Sequence, residues 1–327
     1  MSDILKDTFE TVYKEEYDAL AKEGKTVGEI KVLLEERSNK ALESVIEKAS
    51  EYCVQNMNEH MFENELAWES QDAEFIARQE QKWGKCFSAS RMMYSSALEV
   101  AEAFKQYITL ENPPADFNTK KYTFHCLVHL HGRACQIFLE ILTLLKGGFA
   151  DGALARCRSL YELCCVASFI KDQGESIAEA YYKQPYTDYN KKSYKWANGA
   201  KDNDGHIVKF FSQIQDLCRL SKEWKDEYDL SCLVTHASPQ GTFGRISKGI
   251  GLNYIPVGRS DYNIKIPAMH SVQCLFWISL TFVSLFSHID SLAYVKALEK
   301  WADIVCDMYT TTHDKVFEEA IKAGKAK

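Results

Sequence analysis

The residues with the most chemistry to offer sit where charge enters apolar company. Arg158 and Glu162 lie four residues apart, among Leu154, Leu160, Tyr161, Leu163, Cys164, Cys165 and Val166. On a helix that spacing puts both heads on one face, one turn apart. Such a pair is either structural glue between helices or the floor of a site. A guanidinium also matches phosphate oxygens two at a time, which makes Arg158 a candidate phosphate ligand.

A second stretch runs from Tyr228 through Ser231 and Thr235 to His236, just before Ser238-Pro239. Tyr228, Ser231 and Thr235 share one helical face. His236 falls at the helix end, facing a glycine-rich segment, where an imidazole can exchange protons near neutrality. The plainer reading of His236 is a C-cap that bonds the last carbonyls of the helix.

Two other clusters suggest less specific chemistry. His125, His129 and His131 have the spacing of a metal-binding helix only in part. The first two share a face, whereas His131 points the opposite way, and no paired cysteine motif accompanies them. No metal and no cofactor is therefore expected. The Gly241–Gly251 segment is glycine-rich but lacks the Gly-Lys-Ser/Thr ending of a phosphate loop, so it reads as a basic loop carrying Arg245, Lys248 and, further on, Arg259.

The elements that must position these groups are helical. Only six prolines and sixteen glycines interrupt 327 residues, of which 46% are hydrophobic. Residues 120–146 place Leu127, Leu130, Ala134, Phe138, Ile141, Leu142 and Leu145 on one face at helical period. Gly147-Gly148 then stops that helix, and Asp151 is the expected N-cap of the next, which runs to Ile170. Helices are further expected over 206–220, over 223–236 and from 268 to about 322. A hairpin over 252–255 and 262–266 would be the only β structure.

Residues 59–82 are dense in charge and read as a surface or partner-facing helix, and Thr26 with Glu29 forms a capping box. Pro113-Pro114 marks a boundary between an N-terminal helical extension, 1–112, and a helical core domain, 113–327. The expected fold is all-α: a multi-helix bundle with that extension and one Gly-rich loop or small hairpin.

A net charge of −7 excludes a dedicated nucleic-acid coat but not a local basic groove. Cys126, Cys135, Cys157, Cys164, Cys165 and Cys274 lie in apolar runs, as reduced, buried thiols of a cytoplasmic protein do. Pro267–Ile289 lacks Asp, Glu, Lys and Arg, yet Ser271, Gln273, Ser279, Thr281 and Ser284 punctuate it, so a core helix is expected and no membrane span.

Two of these stretches in combination carry a resemblance. Arg158-Ser159-Leu160-Tyr161-Glu162 after the Gly-Gly turn, with Tyr228, Ser231 and His236 downstream, resembles an uncharacterised all-helical bacterial family of unknown function. That family is similar to the HEPN ribonucleases, many of which serve in toxin and phage-defence systems. The resemblance covers roughly residues 120–290. It implies metal-independent RNA cleavage, often completed across a homodimer, with His236 in acid-base chemistry. HEPN enzymes carry an arginine four to six residues before that histidine. Here no arginine precedes His236 at that distance, so Arg158 would supply the charge from another helix, or the fold is kept without nuclease activity.

Under the first reading Arg158, Glu162 and His236 are catalytic, while Tyr228, Ser231, Arg245 and Lys248 bind substrate. The stretch from Lys191 to Trp196 would hold RNA by charge and stacking. Under the second the chain is a non-catalytic binding or regulatory module for a nucleotide or protein partner. No DNA-specific motif is present.

Overall fold

The computed structural model describes residues 2–36, 38–111, 113–187, 194–218, 220, 222–236, 239, 258–287 and 289–325. The chain divides into two compact units, Met1–Glu74 and Phe75–Lys327. The division falls inside one helix, and Pro113-Pro114 lies within the second unit.

The first unit holds α1 (Ser2–Lys22), α2 (Val27–Glu36) and the opening part of α3 (Ser38–Gln106). Leu20, Ile30 and Leu34 form its small core, with Tyr17 and Leu33 packed against them. The cap of α2 follows the sequence: Glu29 accepts the backbone N–H and the hydroxyl of Thr26 at 2.9 and 2.8 Å. Those bonds hold the Glu29 carboxyl below its ordinary pKa.

The second unit contains the rest of α3 and a π turn, Tyr107–Glu111. There follow α4 (Lys121–Lys146), α5 (Ala150–Gln173), α6 (Glu175–Thr187), α7 (Phe211–Leu217), α8 (Lys222–Thr235), α9 (Lys265–Val283) and α10 (Ile289–Lys325). No strand occurs among the described residues, so the fold is an all-α multi-helix bundle. Its centre is α4, α5 and α9 packed on one another, with α8 against α5, α6 against α4 and α10 against α9. The seven apolar positions expected on one face of α4 are all buried. The later part of α3 joins this core through Phe104, edge-on to Phe282, and through Ser90, bonded to Tyr309 at 2.9 Å.

Three of the hydroxyl residues that punctuate α9 are satisfied within the helix itself. Ser271, Ser279 and Thr281 return their hydroxyls to carbonyls of their own helix at 2.7 to 2.9 Å. Thus α9 is long and apolar enough to cross a membrane, yet most of it is buried among the other helices of the unit.

Two local expectations are corrected. Helix α7 begins at Phe211 rather than near His206. The Asp202 carboxylate takes the N–H groups of Asp204 and His206 at 3.1 and 2.8 Å, which folds that stretch into a turn. At the other end of the glycine-rich segment, Tyr262 and Asn263 form a turn and Lys265 opens α9, so 262–266 is not a hairpin strand. Residues 252–255, its expected partner, lie outside the described residues.

Candidate functional site

The turn between α4 and α5 sets where Arg158 emerges. Gly148 has φ +77°, and a Cβ there would stand 2.4 Å from the Phe75 ring and 2.9 Å from the Ser260 nitrogen. Only glycine fits both the left-handed backbone and that crowding. Ser260 N–H donates to the Gly148 carbonyl at 2.9 Å, and Arg259 donates to the Gly147 carbonyl at 2.8 Å. Arg259 is thereby engaged at the end of α4. The cap of α5 differs from expectation: the helix starts at Ala150 with Phe149 at the cap position, and Asp151 falls in the first turn, where its charge favours the dipole.

From that start, α5 buries Leu154, Cys157, Leu160, Tyr161, Cys164 and Cys165, and leaves Arg158 and Glu162 part-exposed on another side. Helix α8 packs against α5 with the Tyr228 ring tilted against Tyr161, 4.9 Å between ring centres. This packing closes a polar cluster. Arg158 Nε donates to Glu162 Oε1 at 3.0 Å, and Tyr228 Oη donates to the same oxygen at 3.2 Å. The guanidinium carbon lies 5.7 Å from the Tyr228 ring centre. From the end of α8, His236 Nε2 comes within 3.4 Å of Arg158 Nη1. Arginine has donors only, so this bond requires Nε2 to be the unprotonated acceptor.

Arg158, Glu162, Tyr228 and His236 therefore meet. The side chains of Arg158 and Glu162 are 29% and 36% exposed, and His236 is exposed, so solvent and small polar groups reach them. Burial works against the Arg158 charge, but the bond to Glu162 and the nearby Tyr228 and Cys232 outweigh it and raise its pKa. Burial and the Glu162 carboxylate push the Tyr228 phenol up, so it keeps its proton. Tyr194, which the residue pattern did not connect with this site, is raised by burial and by Glu162 and eased by Arg158. Its only sequence signal was membership of the basic-aromatic stretch.

Other expected participants are placed elsewhere. Ser231 is fully buried, and its hydroxyl donates to the Tyr228 carbonyl at 2.6 Å, inside α8. Trp196 is buried edge-on to Phe169 and Tyr181 and presents no face for a base to stack on. Arg245, Lys248 and Lys191–Ser193 lie outside the described residues. Among the histidines, His131 is buried and bonded to Ser279 at 3.0 Å, while His129 is exposed and His125 half-buried.

The residue pattern also missed Asp202, Asp204 and His206, whose ligand atoms lie within 4.8 Å of one another. Both Asp202 oxygens already accept hydrogen bonds, Oδ2 from Gln213 at 2.7 Å, so the group reads as the lock of an exposed turn.

Residues 124–219 match the model of a family of unknown function, DUF5677. No curated protein and no solved structure matches the chain. The DUF5677 stretch spans most of α4 together with α5, α6 and α7, and so includes Arg158 and Glu162. It stops before α8, so Tyr228, Ser231 and His236 lie outside the matched residues.

Proposed function

We propose that this site cleaves RNA without a metal ion, as HEPN-type toxin and phage-defence ribonucleases do. One observation carries the reading: an imidazole acceptor and a guanidinium, brought together from two helices, at a point open to solvent. In the proposed reaction His236 Nε2 takes the proton of a ribose 2′-hydroxyl. The oxygen attacks the adjacent phosphorus, the bond to the 5′-oxygen breaks, and that oxygen takes a proton from water. A 2′,3′-cyclic phosphate and a 5′-hydroxyl result. Arg158 stabilises the charge that builds on the phosphoryl oxygens, and Glu162 with Tyr228 holds the guanidinium in register. The 3.4 Å contact to His236 is long, so an entering phosphate displaces it at small cost.

The test uses the purified full chain with mixed RNAs in the presence of a chelator. Cleavage to cyclic-phosphate ends is expected, with loss in His236→Ala and Arg158→Ala and relief of growth toxicity on expression of His236→Ala. Intact RNA together with unrelieved toxicity rejects the proposal.

One observation favours a non-catalytic binding module instead. Glu162 already pairs Arg158 and would repel an incoming phosphate. Under that reading, Glu162→Gln raises affinity for an anionic ligand and no RNA is cut.

A further inference from the structure

The opening part of α3, within the first unit, exposes an apolar stripe that its own unit does not cover. Val54, Met57, Met61 and Trp68 recur at steps of three, four and seven residues, which keeps them on one side of a helix. They are 64%, 68%, 49% and 64% exposed. Isolated apolar residues at a surface need no explanation, but four aligned on one helical face mark a contact surface. Two of the four are methionines, whose flexible thioethers adapt to a partner's shape.

The charge around the stripe says what covers it. Residues 51–74 contain Glu51, Glu59, Glu63, Glu65, Glu69, Asp72 and Glu74, with no Lys or Arg. At 100° per residue, Glu65, Glu69 and Glu51 fall along one border of the stripe. Glu59 with Glu63, and Glu65 with Glu69, are like charges at i,i+4, an arrangement that weakens a helix standing alone. A second copy of this segment would bring no Lys or Arg to that border in either orientation, since residues 51–74 hold none. A basic partner would relieve the repulsion.

We propose that the Val54–Trp68 face of α3 docks a basic amphipathic helix of a partner protein. Its apolar side covers Val54, Met57, Met61 and Trp68, and its Lys or Arg residues meet Glu65 and Glu69. This surface shares no residue with the Arg158–His236 site, and the proposal stands whether or not that site cleaves RNA.

The experiment measures binding of the full chain to a labelled Leu/Lys amphipathic helical peptide of about five turns, at about 0.15 M salt. The comparisons are a scrambled peptide of the same composition and a Leu/Glu amphipathic peptide. Binding of the Leu/Lys peptide alone is expected. Met57→Glu/Trp68→Glu should weaken it at least about tenfold, and Glu65→Lys/Glu69→Lys should transfer preference to the Leu/Glu peptide. All four positions are solvent-facing, and unchanged helical circular dichroism verifies folding. Equal binding of the scrambled peptide, or binding indifferent to these substitutions, overturns the proposal. So does self-association of the chain that Met57→Glu/Trp68→Glu abolishes, which would assign the face to a second copy. Partition onto phosphatidylcholine vesicles through the same residues would assign it to a membrane.

Discussion

Replacing Arg158 by alanine separates a functional site from a structural pin. A fully buried ion pair, broken on one side, costs about 3–5 kcal/mol because a charge is stranded away from water. The geometry here predicts less. Arg158 and Glu162 are an i,i+4 pair with side chains 29% and 36% exposed. Solvent screening holds such a pair to about 0.3–0.5 kcal/mol. The guanidinium over Tyr228 adds about 0.5–1 kcal/mol, and the long bond to His236 no more than about 0.5 kcal/mol. Arg158→Ala should therefore cost about 1–2 kcal/mol, or about 2–8 °C in Tm for a unit of this size. If the proposed reaction holds, RNA cleavage should by contrast fall on the order of a hundredfold or more, since charge stabilisation at a transferring phosphoryl group is lost. Thermal denaturation by circular dichroism and a cleavage assay on the same preparation give both numbers. A stability loss above about 3 kcal/mol would refute the partly exposed site and make Arg158 a structural residue. Unchanged cleavage would remove it from catalysis.

Four further outcomes follow from the local structure. His131 and His270 are both buried, and burial lowers each pKa to about 4. His270 faces Tyr161 and Trp224, and Glu227 Oε2 stands 3.7 Å from its Nδ1, too far for a hydrogen bond to restore the charged form. In the unfolded chain these imidazoles titrate near pH 6.5. Their contribution is thus whole above that value and is lost as pH falls toward 4. Tm should drop across that window, and His270→Phe should flatten the drop, whereas an unchanged slope would contradict it. Gly148→Ala should cost about 2–4 kcal/mol from left-handed strain plus the clash with Phe75 and Ser260. Gly132→Ala, in α4 with nothing within 4 Å of its Cβ, should instead gain about 0.5–1 kcal/mol, both read from urea midpoints. Glu175 accepts the N–H groups of Tyr122 and Thr123 at 2.6 and 3.0 Å and so caps α4 from α6. Glu175→Ala should cost about 1–2 kcal/mol and raise hydrogen exchange in the first turn of α4, which an unaltered exchange pattern there would refute.

Local pattern was enough for much of this molecule. The 3.6-residue period marked α4, because an amphipathic face must be buried whatever covers it, and the Gly147-Gly148 stop marked where the next helix begins. The Thr26–Glu29 cap was legible because both partners lie within one turn. The site was half legible: Arg158 and Glu162 announce themselves by spacing on one helix, and Tyr228 and His236 by spacing on another.

Where local pattern failed, a residue distant in sequence, or a competing short-range bond, had decided the outcome. Asp202 drew the N–H groups of Asp204 and His206 into a turn, and Gln213 took those of Lys209 and Phe210, so α7 opens at Phe211. Trp196, in a basic-aromatic stretch, was drawn into the core by Phe169 and Tyr181. Ser231 shares a helix with Tyr228, yet it turned its hydroxyl to a carbonyl of α8. The meeting of the two halves is tertiary in the same sense. Tyr228 reaches Glu162 across 66 residues of chain, and His236 reaches Arg158 across 78. Amino-acid order alone dictates that both helices form and which faces they bury. Only the packing of α8 against α5 brings an imidazole to a guanidinium, because a side-chain contact depends on how helices pack and not on the period within either one.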